Sequence, residues 1–281
     1  MGLSLIEKEI IIPGLKGNYR ILHITDSHIV SITPEDADFI IDDGAHTGKQ
    51  LSAFGKMRYN HFCKDGVSTT QRFAQLCDDI CADPTCADVV VFTGDILDYY
   101  TKSGFSLMCE KLKQLPMPYM YVLGNHDMIF SGMSNEEVRK TFQRVCGENT
   151  EFQKYKLGEL ALIGIDNIRD CYSEKALTDL EEALRDEEHA LLFQHIPLST
   201  PEYHEYALSV SSIDYALGND GVCVDDSWSV VYETIKKEDS KIRALICGDC
   251  HVEHESKIGN ATQFTSPFAA AHPPVRFTIH G

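Results

Sequence analysis

Five short stretches of the chain bring together carboxylate, imidazole and amide side chains: Asp26-Ser27-His28, Gly94-Asp95, Gly124-Asn125-His126-Asp127, His195 and Gly248-Asp249-Cys250-His251. Each alone is ordinary. Gly-Asp is common in turns because both residues tolerate turn geometry, and a lone histidine after a strand is more often a hydrogen-bonded structural residue than a ligand. The set is another matter. Oxygen and imidazole donors are what divalent metal ions take, and clusters of histidine and carboxylate are rarely accidental. The chemistry on offer is metal binding, and through it the handling of an anionic substrate.

The elements that must position these residues can be read from the apolar pattern. Each stretch follows a strand candidate: Tyr19–Thr25, Asp88–Thr93, Tyr119–Leu123, Ala190–Gln194 and Ile242–Cys247. The run Val89-Val90-Val91-Phe92 suits a strand buried on both faces. Leu160–Ile165 and Val275–Ile279 are further strands. Between them lie helical stripes. One comprises Phe73, Leu76, Cys77, Ile80 and Cys81. A second comprises Phe105, Met108, Cys109 and Leu112. Val138, Phe142 and Val145 form a third, opened by Ser134 with Glu137 completing a capping box. Trp228, Val231, Tyr232 and Ile235 form a fourth, which makes the lone Trp228 a core residue. Strand–helix alternation over residues 1–281 predicts one α/β domain, and in such sheets ligands bind beyond the carboxyl ends of the strands. Residues 30–67 and 199–226 are long and turn-rich, and read as insertions around a site.

Composition narrows the function. The chain has 281 residues, 43% hydrophobic and 24% charged, which is globular. No run approaches the length of a membrane span. The 43 acidic against 25 basic residues leave a formal charge of −18, which argues against general nucleic-acid binding and against docking on anionic lipid. A small anionic substrate needs a local reversal of sign, and bound metal would provide it. The N-terminus has no signal-peptide pattern, and Ile6 stands where a myristoylation signal wants Ser or Thr. The ten cysteines are therefore expected as reduced thiols, mostly core packing, in a cytoplasmic protein. Oligomeric state is left open.

The order Asp-x-His, Gly-Asp, Gly-Asn-His-Asp, His and a closing Gly-x-x-His resembles the calcineurin-like metallophosphoesterase superfamily, in its bacterial cytoplasmic form. The resemblance spans residues 20–281. It implies a four-layer α-β-β-α sandwich of two mixed sheets with two metal ions above the strand ends. It also implies roles. Asp26, His28, Asp95 and His251 would hold the first ion. Asp95, Asn125, His195 and the position of Asp249 would hold the second, with Asp95 shared. His126 would contact the phosphate and protonate the leaving group, with Asp127 orienting its ring. Two cations about 3.5–4 Å apart repel, so a shared carboxylate is needed, and a water between them becomes a nucleophile near neutral pH. The ligand set suits Mn, Fe or Zn, with Mg, Co or Ni also compatible. The implied activity is hydrolysis of phosphoric esters, mono- or diesters alike. The alternative is a non-catalytic scaffold on the same fold. One departure supports that alternative: the family usually closes with Gly-His-x-His, whereas here Asp249 replaces the first histidine. Either it ligates as a harder donor, favouring Mn, Fe or Mg, or it turns away.

Other motifs are bland. Cys247-Gly-Asp-Cys250-His251 spells a haem-attachment pattern without an export signal. Gly44–Gln50 resembles a P-loop but is one residue short and lacks its Ser/Thr. Cys77, Cys81 and Cys86 are core candidates. His46, His61, His204 and His272 are expected as surface or loop residues, and His23 as a core histidine. Of the insertion residues, Arg58 is the one suited to a phosphate, through its planar fork of donors.

Overall fold

A computed structural model describes residues 3–30, 57–58, 60–63, 66–128, 133–210, 215–219 and 222–281. Most of the first insertion, including the Gly44–Gln50 motif and His46, lies outside the described residues. In chain order the elements are β1 (Ile6–Ile11), β2 (Tyr19–Ile24), α1 (Thr69–Ala82), β3 (Val89–Thr93), α2 (Lys102–Gln114), β4 (Tyr119–Val122), α3 (Asn125–Met128), α4 (Asn135–Cys146) and β5 (Phe152–Leu157). There follow β6 (Leu160–Ile165), α5 (Glu174–Arg185), β7 (His189–Phe193), α6 (Pro201–Val210), α7 (Ser227–Lys236), β8 (Ile242–Cys247), β9 (His254–Ile258), β10 (Ala261–Thr265) and β11 (Val275–His280).

The strands form two mixed sheets, ordered β1-β11-β2-β3-β4 and β5-β6-β7-β8-β10-β9. The central strands β2, β3 and β4 run parallel, as do β6, β7 and β8. Antiparallel pairs occur at β11–β2, β5–β6 and β10–β9. Period-two alternation assigns each strand residue to a layer. Val89, Val91, Met120 and Val122 face inward against Leu162, Leu191, Phe193 and Ile246 of the other sheet. Their neighbours Val90, Phe92 and Tyr121 face outward against Phe73 and Ile80 of α1, Met108 and Leu112 of α2, and Phe142 of α4. On the far side Ile163, Leu192 and Leu245 pack on Leu180 of α5 and on Val231 and Ile235 of α7. The result is the expected four-layer α-β-β-α arrangement.

Local signals agree with these elements. Ser68 and Ser134 cap α1 and α4 through complete capping boxes with Gln71 and Glu137. Cys77, Cys86 and Cys247 are buried in the cores, and the ten cysteines are free thiols. Trp228 packs half-buried against the outer core of the second sheet. Beyond the sequence reading are β1, β5, β9, β10, α5 and α6. β5 and β9 alternate exposed with covered residues, so neither presents the continuous apolar run that marks a central strand. No helix among the described residues is long and apolar enough to cross a membrane.

Candidate metal centre

The loops leaving β2, β3, β4, β7 and β8 converge. Two of them touch backbone to backbone: a Cβ on Gly94 would overlap the Gly124 amide, and one on Gly124 would overlap Asp95. Only glycine permits that approach, which brings the Asp95 and Asn125 side chains together. Asp26, His28, Asp95, Asp249 and His251 all have positive φ, between 43° and 67°. Such left-handed conformations persist at non-glycine residues only where the surroundings over-determine them, and they cluster at functional sites.

The donor atoms fall into two groups. In the first, Asp26 Oδ1 lies 3.2 Å from His251 Nε2 and 3.6 Å from His28 Nε2, and the two imidazole nitrogens are 2.9 Å apart. In the second, His195 Nε2 lies 3.0 Å from Asn125 Oδ1, 3.3 Å from Asp95 Oδ1 and 3.4 Å from Asp249 Oδ1. Asp95 reaches both groups, because its Oδ2 is 3.9 Å from His28 Nε2. Asp249 is therefore turned toward His195, not away from it.

Second contacts fix which nitrogens face inward. His195 Nδ1 donates to the Thr93 carbonyl at 2.5 Å, and His28 Nδ1 sits 3.0 Å from Asp98 Oδ1. Each ring thus presents Nε2, the arrangement that ligating histidines adopt. A neutral His195 directs its Nε2 lone pair at three acceptor oxygens. Among the described residues, Asp26 Oδ1 is fully buried and accepts no hydrogen bond, whereas its Oδ2 takes the Thr25 hydroxyl and the Asp249 amide. Converging lone pairs with one orphaned carboxylate oxygen are what a bound cation would satisfy, so the donor set fits divalent metal. Without a cation the same crowding is met by protons. Against the opposing effect of burial, contacts with Asp26 and Asp98 raise His28 to about 9. Asp95 and Asp249 raise His195 well above its ordinary value, again against burial. Burial opposes ionisation of Asp26, but His251 and His28 hold it well below the usual carboxylate range.

Aromatic rings wall the first group. Phe62 stacks on His28 at 4.5 Å, and Phe268 stacks on His251 at 4.8 Å. Neither phenylalanine was singled out in the sequence. Nor was Asp98, fully buried between Leu97 and Tyr99. A carboxylate inside the apolar run Ile96-Leu97-Asp98-Tyr99-Tyr100 is the signal that could have found it.

One expected role is corrected. Asp127 does not orient the His126 ring. Its carboxylate accepts the backbone amides of Asp95, Leu97 and Gly124 and the Tyr121 hydroxyl, at 3.0–3.1 Å. It therefore pins two loops together, and burial with the nearby Asp95 charge raises it to about 7. The His126 ring is held instead by the Asp98 carbonyl, 2.8 Å from Nδ1. Adjacency in sequence does not set side-chain direction across the turn of α3. Arg58 is likewise engaged: Nε and one terminal nitrogen grip Asp98, so its fork faces a carboxylate of the protein. His23 is the expected core histidine, between Ser266 Oγ and Thr93 Oγ1. His61, His204 and His272 are exposed and belong to neither group of donors.

Comparison with known proteins places the chain in a family. The profile of the calcineurin-like phosphoesterase family matches residues 19–253. A DNA double-strand break repair protein, Mre11, from Sulfurisphaera tokodaii is 24% identical over 215 residues, covering 71% of this chain and 48% of that protein. A Staphylococcus aureus structure named as a candidate 5′-nucleotidase, solved with alpha-ketoglutarate, superposes with a TM-score of 0.51 at 11% identity. That superposition covers 90% of this chain and 49% of the other, and it speaks to fold alone. The chain thus spans about half the length of either protein. With the matched profile covering most of its length, the chain belongs to the calcineurin-like phosphoesterase family.

Proposed function

We propose that the chain hydrolyses phosphoric esters with two divalent ions held at this rim. Asp26, His28, Asp95 and His251 hold the first, and Asp95, Asn125, His195 and Asp249 hold the second. The observation that carries this reading is Asp95, whose two oxygens face histidines of different groups, Oδ2 toward His28 and Oδ1 toward His195. Two ions, when bound, supply positive charge for the phosphoryl oxygens and lower the pKa of water toward neutrality. This reconciles an anionic substrate with a chain of formal charge −18.

The protein's own part is to place and to move protons. His126 donates its Nδ1–H to the Asp98 carbonyl, so in its imidazolium form the ring would carry a second N–H at Nε2 to give to the departing alkoxide, returning to the neutral Nδ1–H tautomer. Its side chain retains 22% exposure, enough to meet a substrate. Asp98 and the Thr93 carbonyl keep His28 and His195 in the ligating tautomer. We take residues 1–281 as one phosphoesterase domain.

Protein reconstituted with manganese, iron or zinc tests this. Two ions per chain are expected, with turnover of p-nitrophenyl phosphate or its bis ester, and Asp95→Asn should lose both ions and essentially all activity. One ion in the wild type, or two in Asp95→Asn, overturns the shared centre. Two ions with no turnover of either ester under any metal would support the scaffold alternative.

A further inference from the structure

A cleft of about 440 Å³ opens beside the second group of donors. Asn125 and Asp249 form its polar end, and the remainder includes Tyr203, Ala207, Val210 and Tyr215. The size suits the organic part of a small ligand. Its walls are held in place. Tyr203 is fully buried on α6. The Tyr215 hydroxyl donates to Asp170 at 2.7 Å, and the Tyr215 carbonyl accepts the Cys250 thiol at 3.1 Å. Yet Val210 is 53% and Tyr215 36% exposed, so apolar surface lies open directly against the polar centre. Apolar surface grouped at a rimmed cleft marks a binding surface.

Charge defines what fits. No Lys or Arg lines the cleft among the described residues, and the Asp98 carboxylate engages the Arg58 fork. A second phosphate or a carboxylate on the ester group would be desolvated against Val210, Tyr215 and Asp249, with no counter-ion. An aromatic group would pack against the open surface of Val210 and Tyr215.

We propose that this cleft receives the ester group of the substrate and selects an uncharged, apolar or aromatic one. The inference rests on the phosphoesterase reading above and sharpens it, setting aryl or similarly apolar phosphoesters ahead of nucleoside polyphosphates and sugar bisphosphates.

Calorimetric binding to the manganese-loaded protein tests it with three non-hydrolysable probes: methylphosphonate, phenylphosphonate and 4-carboxyphenylphosphonate. Phenylphosphonate should bind about tenfold or more tighter than methylphosphonate, as expected for burying a ring. The carboxylate on 4-carboxyphenylphosphonate should cancel that gain. Val210→Asp, at an exposed position, and Tyr215→Ala should each abolish the ring's advantage, with methylphosphonate as the baseline in the same variant. Equal affinities for the first two probes, or a ring advantage that survives both substitutions, overturn the cleft assignment alone. Failure of manganese to bind overturns the metal centre and this inference with it.

Discussion

Asp98 Oδ1 lies 3.0 Å from Nδ1 of His28, and that contact sets which nitrogen of His28 faces the centre. A neutral imidazole has one N–H. With the hydrogen on Nδ1, the Nε2 lone pair points toward Asp26 and His251. Arg58 in turn grips Asp98, so a chain of charge-assisted contacts runs from a largely covered arginine to a candidate ligand. Removing such an outer partner typically costs about 10–100-fold in metal affinity. Asp98→Asn is therefore expected to weaken manganese binding by that factor in a calorimetric titration, and Arg58→Ala by less. Unchanged affinity in Asp98→Asn would contradict the relay.

His126 and Asp127 are neighbours with different work. His126→Ala should keep its metal and lose rate by about 10²–10⁴-fold, the usual loss for an acid catalyst. Asp127→Asn should behave differently. It turns an acceptor into a partial donor facing three buried backbone amides, and each amide left unpaired costs about 1–3 kcal/mol. Its melting temperature and metal affinity should fall together. A normal melting temperature with lost rate alone would restore Asp127 as a ring-orienting residue.

What the sequence made legible follows from burial. β2, β3, β4, β7 and β8 are mostly apolar strands followed closely by Gly, Asp or His, so both the strands and the residues they deliver could be read. Parts of the site were not legible. Asp98 sits inside an apolar run, where nothing in the spacing from Asp95 marks it as the partner of His28. The direction of Asp127 depends on how the Gly94 and Gly124 backbones cross, a tertiary fact. β5 and β9 are edge strands with one wet face, so their pattern resembles a loop. The division of strands between sheets was similarly hidden: Val89 and Val90 are equally apolar, and only the packing sends one inward and the other toward α1.

Asp249 places a carboxylate 3.4 Å from His195 Nε2, where the family resemblance implies an imidazole. Oxygen is the harder donor, so the second position should prefer manganese, iron or magnesium over zinc. Competition between manganese and zinc, read as metal content, should shift toward zinc in Asp249→His. The same preference in both proteins would show that Asp249 does not ligate.

Burial lowers His23 to about 3. In the folded state it stays neutral between Ser266 and Thr93, whereas in the unfolded chain it takes up a proton near its ordinary value. The unfolded state therefore binds more protons as pH falls below about 6.5, and the stability that the neutral ring contributes is full above that value and lost progressively toward pH 3. His23→Gln, which can still bond to both hydroxyls, should flatten the fall in melting temperature of the metal-free protein between about pH 6.5 and 4. An unchanged slope would mean that His23 is not the acid-sensitive group.

The central claim is a pair of ions joined through Asp95. Anomalous diffraction from crystals grown with excess manganese measures it directly. The account predicts two peaks about 3.5–4 Å apart, with one Asp95 oxygen on each. A single peak, no peak at this rim, or two peaks that do not share Asp95 would contradict it.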